Sequence, residues 1–400
     1  MTDSLRLIPA NSPKWAAWVD GASHDFHHTA AHHLVWQEAG AGEAWLAVFG
    51  SATRYIAWPH LLRTIEGAPA AQENLYDVTD VDGYGGPLSV GCSPGDPFIR
   101  TALEAITDHW RSVRVVSVFA RFHPLLRNQF CFGGPLPQGP GDGTCPAFPG
   151  LRHEGHTVSM DLSLSDADAR RQYRASHLWE IRRAIRQGLT TEIDNSRAGF
   201  REFVGLYYQT MRRNGADARY FFSESFLERL QQALGSGASI HHARVHGKTV
   251  AAVLITEFSG IVQYLLGGVD EEFYRLSPVK LLLDSVRQWA RQRGNRDFHL
   301  GGGRGCRDDD SLFLFKTGFS GRRHCYYTGR WILDRERYDW LTGEQFKNLA
   351  TQHKSASSAD YFPAYRTPPT EVRRDVVREL AAAGRKEIPS CASSQSSLHS

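Results

Sequence analysis

A lysine set among aromatic side chains is the residue of this sequence best placed for chemistry. Lys316 lies in the run Leu-Phe-Leu-Phe-Lys-Thr-Gly-Phe, between Phe315 and Phe319. Packing of the aromatic rings would fix the direction of its ammonium group, which could then stabilise a developing oxyanion or bind a phosphate. The alternative is an ordinary solvated lysine on a short helix.

A glycine run and three aspartates precede this lysine. The run Gly301 to Gly305 follows a predicted strand, and the aspartates come directly before the next helix. Because three carboxylates would repel a phosphate, we predict a turn at which a substrate chain approaches the backbone of Gly302 and Gly303. Asp309 or Asp310 either caps the helix or takes a proton from an attacking amine as a general base.

A strongly basic stretch follows Ser165. Its six arginines are Arg170, Arg171, Arg174, Arg182, Arg183 and Arg186. This patch could contact the phosphates of an RNA. An equally good interpretation is an ordinary helix whose arginines face solvent and whose apolar stripe packs in the core. Trp179 could stack on a base only if it is exposed.

Composition favours a globular protein with two cores. The chain has 400 residues, of which 41% are hydrophobic, and a net charge of only +3. A single core rarely grows much beyond about 250 residues, so two domains are expected. The N-terminus lacks the pattern of a secretory signal, and no segment approaches the ~20 apolar residues needed to cross a bilayer, so we expect a cytoplasmic protein without integral membrane association.

Neither cysteines nor histidines predict a metal site. The six cysteines show no C-x-x-C or His-partnered spacing, so reduced thiols are expected. His32-His33 and His241-His242 are adjacent pairs, which in strands would face opposite ways and could not share an ion. We therefore predict no metal.

The order of predicted elements is that of a mixed α/β fold with a largely antiparallel sheet. The elements are a hairpin at 43–60, a helix at 97–110, a long helix from Ser165 to Gln187, helices at 197–212 and 223–234, a meander with turns at His246-Gly247 and Ser259-Gly260, a helix from Val279 to Gln292 capped by Ser277 and begun by Pro278, a strand at 297–302, a short helix at 312–317 and a closing pair of strands.

Glycine and proline mark the predicted domain boundary. Residues 133–150 carry six glycines and five prolines, a composition that sustains neither helix nor strand. We predict domains at 1–150 and 151–350. Residues 351–400 are expected to form a linker, a helix from Thr370 to Ala383 and a disordered Ser-rich tail without catalytic residues.

Three stretches resemble the Fem-type branch of the GCN5-related N-acetyltransferase (GNAT) superfamily. They are Tyr76-Asp77-Val78-Thr79 with Gly83-Tyr84-Gly85-Gly86-Pro87-Leu88, Arg121-Phe122-His123-Pro124-Leu125, and Asp310-Ser311-Leu312-Phe313-Leu314-Phe315-Lys316-Thr317-Gly318-Phe319. The resemblance spans roughly residues 30–340. It implies tandem GNAT-like domains, each a mostly antiparallel mixed sheet flanked by helices, although the chain lacks the long heptad insertion that forms a helical arm in some members.

The resemblance also implies roles for individual residues. Fem-type enzymes transfer an amino acid from an aminoacyl-tRNA to an amine, often on a peptidoglycan precursor. The resemblance implies that Phe315 and Lys316 lie at the aminoacyl end of the donor and that Arg213 holds a phosphate of the acceptor. An arginine at the C-terminal end of a helix also interacts favourably with the helix dipole, which is the alternative for Arg213. Tyr84 and Tyr264 are expected to line the acceptor groove or to pack, and Arg182, Arg183 and Arg186 become the candidate tRNA contacts.

The segment before the last long helix argues against coenzyme A. GNAT enzymes that use acyl-CoA bind its pyrophosphate with a Gly-rich turn at this position. Here Arg275 to Lys280 contains no glycine, and Pro278 removes a backbone donor. We therefore expect no cofactor, with aminoacyl-tRNA as co-substrate.

Three functions remain open from the sequence. The first is amide formation from aminoacyl-tRNA onto a peptidoglycan precursor or a small natural-product amine. The second keeps the fold and uses acetyl-CoA or another acyl-CoA through a rearranged loop. The third is a non-catalytic RNA-binding or scaffold protein, for which Lys316 would not matter.

Overall fold

Alternating apolar strands and amphipathic helices build the first half of a large sheet. The computed structural model describes residues 3–66, 74–132, 150–305, 307–352, 354–356 and 360–371. The elements up to Arg121 are β1 (Leu5–Pro9), α1 (Lys14–Val19), α2 (Ala30–Glu38), β2 (Glu43–Ser51), β3 (Arg54–Thr64), β4 (Tyr76–Thr79), β5 (Leu88–Val90), α3 (Pro97–Ser112) and β6 (Val115–Arg121).

The second half repeats this order after additional elements. Its elements are β7 (Leu151–Asp161), α4 (Asp166–Arg171), α5 (Ala175–Arg186), β8 (Thr190–Ile193), α6 (Arg197–Arg213), α7 (Glu224–Leu234), β9 (Ala238–Val245), β10 (Lys248–Phe258), β11 (Ile261–Val269), α8 (Pro278–Gln292), β12 (Asp297–Gly301), α9 (Ser311–Thr317) and β13 (Arg323–Ile332).

The two halves share one topology. Each has a strand, two helices, three antiparallel strands, a helix and a strand parallel to the last of the three. In the first half β4 and β6 are the parallel pair, and in the second half β11 and β12 are. The predicted mixed fold and meander are confirmed by this arrangement, in which β9, β10 and β11 follow one another antiparallel.

One strand from the second half joins the halves into a single sheet. The strand order is β1-β2-β3-β4-β6-β13-β7-β12-β11-β10-β9-β8, with β5 beside β3. β13 pairs antiparallel with β6 on one edge and with β7 on the other. Leu151 of β7 and Tyr327 of β13 accordingly lie in the hydrophobic core of the first half, beside Trp58 and Val118.

The sheet is therefore continuous beyond the predicted boundary at 133–150. Apart from Gly150, that boundary lies outside the described residues, and the predicted domain limits stay a prediction. The described chain forms one compact unit as far as Leu333, and a second unit begins at Asp334.

Some predictions of local structure are wrong. The helix expected from Ser165 to Gln187 is broken into α4 and α5, because Tyr173 turns inward and donates a hydrogen bond to buried Asp284 at 2.9 Å. The closing pair of strands is the single strand β13. His32 and His33 lie on helix α2 rather than on a strand.

The second compact unit contains α10 (Arg335–Thr351) and the antiparallel pair β14 (Lys354–Ala356) and β15 (Pro369–Glu371). Its Tyr338 ring lies 5.3 Å from that of Tyr365. β15 replaces the start of the predicted helix at Thr370, and the remainder of that helix and the Ser-rich tail lie outside the described residues.

None of the helices in the described part of the chain is long and apolar enough to span a bilayer.

Two buried charged residues of α8 form ion pairs with α4. Asp284 and Arg287 are both 1% exposed, and Asp284 also accepts from Arg170 at 2.6 Å. Removing one partner of such a pair leaves an uncompensated buried charge.

We expect Asp284→Ala to lower the free energy of unfolding by about 3 kcal/mol, the lower end for a broken buried pair, because Arg287 keeps only the half-exposed carboxylate of Asp166 and Arg170 loses its carboxylate. Urea unfolding checks this, with Arg111→Ala as the control. The exposed Arg111–Asp108 pair should change stability by less than about 0.5 kcal/mol. Equal losses for the two variants would contradict the assignment.

Candidate functional site

Lys316 enters a gap between two parallel strands of the second half. β11 and β12 are paired only from Ile261 to Gln263, opposite Asp297 to His299. Beyond that point the Lys316 Nζ donates to the Gly302 carbonyl at 2.6 Å and lies 5.9 Å from the centre of the Tyr264 ring. The predicted alternative of a solvated lysine is thus excluded by the structure, since Lys316 is only 7% exposed.

Burial changes the protonation of this lysine. Loss of solvation lowers the pKa of Lys316 to about 7, although the charge of Asp310 acts in the opposite direction. At neutral pH the amine is therefore shared between its charged and neutral forms. Such a group can both donate and accept a proton in a reaction.

Asp310 holds the glycine turn and the start of α9 together. Its Oδ1 accepts from the backbone N–H groups of Leu312 at 2.9 Å, Phe313 at 3.1 Å and Arg304 at 3.0 Å. Burial raises the pKa of Asp310, but these three donors outweigh it and the net shift is downward. A Cβ on Gly303 would lie 2.6 Å from Asp310 Oδ1, so this position requires glycine. The geometry favours the capping role of Asp310.

Asp309 takes no part in that arrangement. It is exposed and forms an ion pair with Arg307 at 2.6 Å. The structure therefore offers no geometric support for Asp309 as a general base.

Tyr84 reaches the second half from the first. The gap between β4 and β6 is closed by the loop that follows β4, since the Gly85 N–H donates to the Arg121 carbonyl at 2.7 Å. The same loop carries Tyr84, whose ring lies 5.3 Å from that of His299 on β12 and 5.7 Å from that of Tyr326 on β13. The loop after β4 thus fills the gap between β4 and β6, and its Tyr84 side chain reaches the gap between β11 and β12.

The backbone of Gly301 separates Tyr84 from Lys316. A Cβ on Gly301 would lie 3.4 Å from the Lys316 Nζ and 4.0 Å from the Tyr84 hydroxyl. Gly301 has a φ of +76°, a left-handed conformation that favours glycine. The structure therefore brings together Lys316, Tyr84 and Tyr264 around the predicted glycine turn.

A fully buried aspartate anchors the Tyr84 loop. Asp25 Oδ2 accepts from His123 Nε2 at 3.0 Å and from His27 Nδ1 at 3.3 Å, and all three side chains are buried. His28 Nε2 donates to the Gly85 carbonyl at 3.3 Å. Burial, which raises the pKa of Asp25, is outweighed by the two histidines, so the net shift is strongly downward.

Neither this anchor nor His299 was predicted from the sequence. The available signal was the density of histidines, since His24, His27, His28, His32 and His33 fall within ten residues. His299 is buried, and burial lowers its pKa well below the usual value, so it is neutral. Its Nδ1 lies 3.4 Å from Gln263 Oε1, and its Nε2 has no hydrogen-bond partner among the described residues.

Phe315 and Arg213 lie outside this cluster. The Phe315 carbonyl accepts from His177 Nε2 at 3.0 Å, and its ring packs on the core of the second half. Arg213 donates to the Val269 carbonyl at 3.2 Å and lies 5.4 Å from the centre of the Tyr274 ring. Arg213 therefore borders the segment before α8.

The basic face of α5 is exposed. Trp179 is 55% exposed, and the Arg183 guanidinium lies 4.9 Å from the centre of its ring. Arg183 also donates to the Arg275 carbonyl, while Arg182 and Arg186 are exposed. Trp179 is therefore exposed, as stacking on a base requires.

A carboxylate occupies the start of α8. Ser277 has a φ of +54° and makes no side-chain cap, so the predicted cap is wrong, although Pro278 begins the helix as predicted. The Ser277 hydroxyl donates instead to Glu180 of α5, which also accepts from Lys280 at 2.7 Å. Burial raises the pKa of Glu180, but these two donors outweigh it and keep the group ionised.

Comparison with known proteins finds a GNAT domain and a shared fold. Residues 167–310 match the family described as Acetyltransferase (GNAT) domain, and no curated protein matches the chain significantly. The crystal structure of FemX matches with a TM-score of 0.63 at 14% identity, covering 84% of this chain and 99% of FemX. A tandem GNAT protein from the clavulanic acid biosynthesis pathway matches with a TM-score of 0.44 at 13% identity, over 82% and 98% of the two chains. The predicted fold class and the predicted resemblance are confirmed.

We expect the stability of the protein to depend on pH through Lys316. The folded-state pKa of about 7 lies below the ordinary 10.5, so the unfolded chain binds more protons between these values and stability rises with pH across that range. Relative to Lys316→Met, the wild type should gain roughly 1 kcal/mol per pH unit from about pH 7 to about pH 10.

Urea unfolding of both proteins across this range measures the effect. Exposed Lys14 provides the control, because Lys14→Met should follow the wild type at every pH. A constant difference between wild type and Lys316→Met would show that the buried lysine keeps an ordinary pKa.

Proposed function

Because the chain has the fold of FemX and a GNAT acetyltransferase domain, we propose that it is an aminoacyltransferase. It would transfer an amino acid from aminoacyl-tRNA to an amine of a peptidoglycan precursor or of a small natural product. The observation that carries the choice of donor is the ionised Glu180 at the start of α8.

The start of α8 is poorly suited to a pyrophosphate. In GNAT enzymes that use acyl-CoA, backbone N–H groups at this position bind the phosphates. Here Pro278 supplies no N–H, and Glu180 already accepts from Ser277 and Lys280. A second anion at this place would be repelled by the carboxylate.

The chemistry needs little beyond positioning. The acceptor amine forms a C–N bond with the ester carbonyl carbon, the bond from that carbon to the ribose oxygen breaks, and the amine proton ends on that oxygen. The charged form of Lys316 stabilises negative charge on the reacting oxygens. Tyr84, Tyr264 and neutral His299 enclose the same gap and orient the reactants.

The exposed face of α5 is the candidate tRNA surface. Arg182, Arg183 and Arg186 offer cations to the phosphates, and Trp179 offers a stacking platform. Arg213, beside Tyr274, is the candidate for an acceptor phosphate. A reaction with aminoacyl-tRNA would take place in the cytoplasm.

Transfer of a labelled amino acid from aminoacyl-tRNA into an amine-linked product tests the proposal, with cell extract as the acceptor source. We expect the transfer to be abolished by ribonuclease and the rate to fall about 10²- to 10³-fold in Lys316→Met, because one donor to the reacting oxygens is lost. Lys14→Met is the control and should keep the full rate.

Two results would reject this function. Transfer from labelled acetyl-CoA but not from tRNA would favour the acyl-CoA alternative. The match to an acetyltransferase domain is the observation that favours this alternative. RNA binding without any transfer would favour a non-catalytic RNA-binding or scaffold protein.

Binding of tRNA should depend on salt through α5. We expect Arg182→Ser combined with Arg186→Ser to reduce the slope of log K against log salt by about 1 to 2, since each phosphate contact contributes about one unit. Fluorescence anisotropy with labelled tRNA measures this. The control pair, Arg100→Ser with Arg111→Ser on α3, should leave the slope unchanged, and equal slopes for both pairs would place the RNA elsewhere.

A further inference from the structure

Two histidines and a cysteine face one another on the central strands. In the pairing of β7 with β13, Cys325 is opposite His156 and Tyr327 is opposite His153. The register shifts between these pairs, so that the bulge at Glu154 and Gly155 puts His153 and His156 on the same face although they are three residues apart. One ligand atom of His153, His156 and Cys325 each lies within 4.8 Å of the others.

Each of the two imidazoles has one ring nitrogen held by a hydrogen bond and the other ring nitrogen available. His153 is hydrogen-bonded to the backbone of Gly155, while its Nε2 is buried and has no hydrogen-bond partner among the described residues. His156 Nδ1 lies 3.2 Å from Asp308 Oδ1, which leaves its Nε2 for another partner. A backbone carbonyl or a carboxylate on the second nitrogen is the usual support of a metal-binding histidine.

We propose that His153, His156 and Cys325 bind a zinc ion, with Asp308 as the carboxylate that orients His156. Two imidazole nitrogens and a thiolate sulfur are ligand types that bind zinc in proteins. Zinc bonds of about 2.0–2.3 Å require the three donors to approach to roughly 3.3–3.8 Å, a movement that small side-chain rotations provide. This site reverses the expectation from sequence, because its ligands come from two strands far apart in the chain.

The cysteine of the proposed site lines a cleft that neither of the site's histidines borders. Cys325 is half-buried and lines a cleft of about 200 Å³ together with Arg127, Arg323 and His324. Three protein ligands would leave one tetrahedral position of the zinc ion for water or a substrate atom.

The second cluster of ligand-type residues is better explained without a metal. Asp25, His27 and His123 also lie close together and are fully buried. Their facing atoms already bond one another, since Asp25 Oδ2 accepts from both histidines. His153 and His156 instead have one ring nitrogen each directed to a support and one available.

The zinc site would connect β7 to the glycine turn of the candidate active site. Gly302 packs on His156, because an added Cβ would lie 3.1 Å from the His156 carbonyl oxygen. Asp308 precedes the helix-capping Asp310 in the same loop. Bound zinc would therefore order the loop that carries the Gly302 carbonyl, the acceptor of the Lys316 amine.

Cobalt and zinc titrations of the full chain, after removal of metal with a chelator, test the site. We expect one equivalent of Co²⁺ to produce a thiolate-to-cobalt charge-transfer band and one equivalent of Zn²⁺ to abolish it. Cys325→Ser should lose the band, and His153→Gln should lose stoichiometric binding. Cys92→Ser, which removes another half-buried thiol, is the control and should bind as the wild type does.

Asp308→Asn gives a graded test that does not remove a ligand. Loss of the carboxylate support should weaken zinc about 10- to 100-fold in competition with a chromophoric chelator. Absence of stoichiometric metal in the wild type, or equal binding by the wild type and Cys325→Ser, would overturn the proposal. Circular dichroism confirms that each variant is folded.

Discussion

The pairing of β13 on both of its edges is the constraint on which the rest of the structure depends. Its bonds to β6 and β7 place a strand from the end of the second half in the middle of the sheet. Because the loops after β4, β6 and β12 must follow this order, the Tyr84 loop, His123 and the Lys316 helix meet at one place. Without β13 the two repeats would be separate sheets with no common site.

The repeats have diverged in what fills their gaps. In the first half the loop after β4 bonds to Arg121 and closes the gap between the parallel strands. In the second half the corresponding gap holds a lysine whose charge is poorly solvated. The first half thus acts as a rigid support that delivers Tyr84, and buried Asp25 fixes that support with two histidines. In the proposed function the reacting lysine belongs to the second half.

Local features of this fold were predictable from sequence, and long-range ones were not. The turns at His246-Gly247 and Ser259-Gly260, the cap at Asp310 and the short helix of Lys316 follow from spacing and turn chemistry within a few residues. The position of β13, the break at Tyr173 and the carboxylate of Glu180 at α8 depend on partners more than ninety residues away. The hydrophobic pattern of a sequence carries no information about such long-range contacts. Lys316 was therefore identified from sequence, whereas His299 and Asp25 were not.

Photo-crosslinking with a donor analogue would test the central claim most directly, namely that a composite site of both halves binds the aminoacyl end of a tRNA. The analogue would be a tRNA whose amino acid carries a diazirine and is joined to the 3′ end by a stable amide. We expect crosslinks on both the Tyr84 loop and the Gly301 to Lys316 segment, with competition by tRNA and none by acetyl-CoA. Crosslinks confined to one half, or displaced by acetyl-CoA alone, would contradict the account.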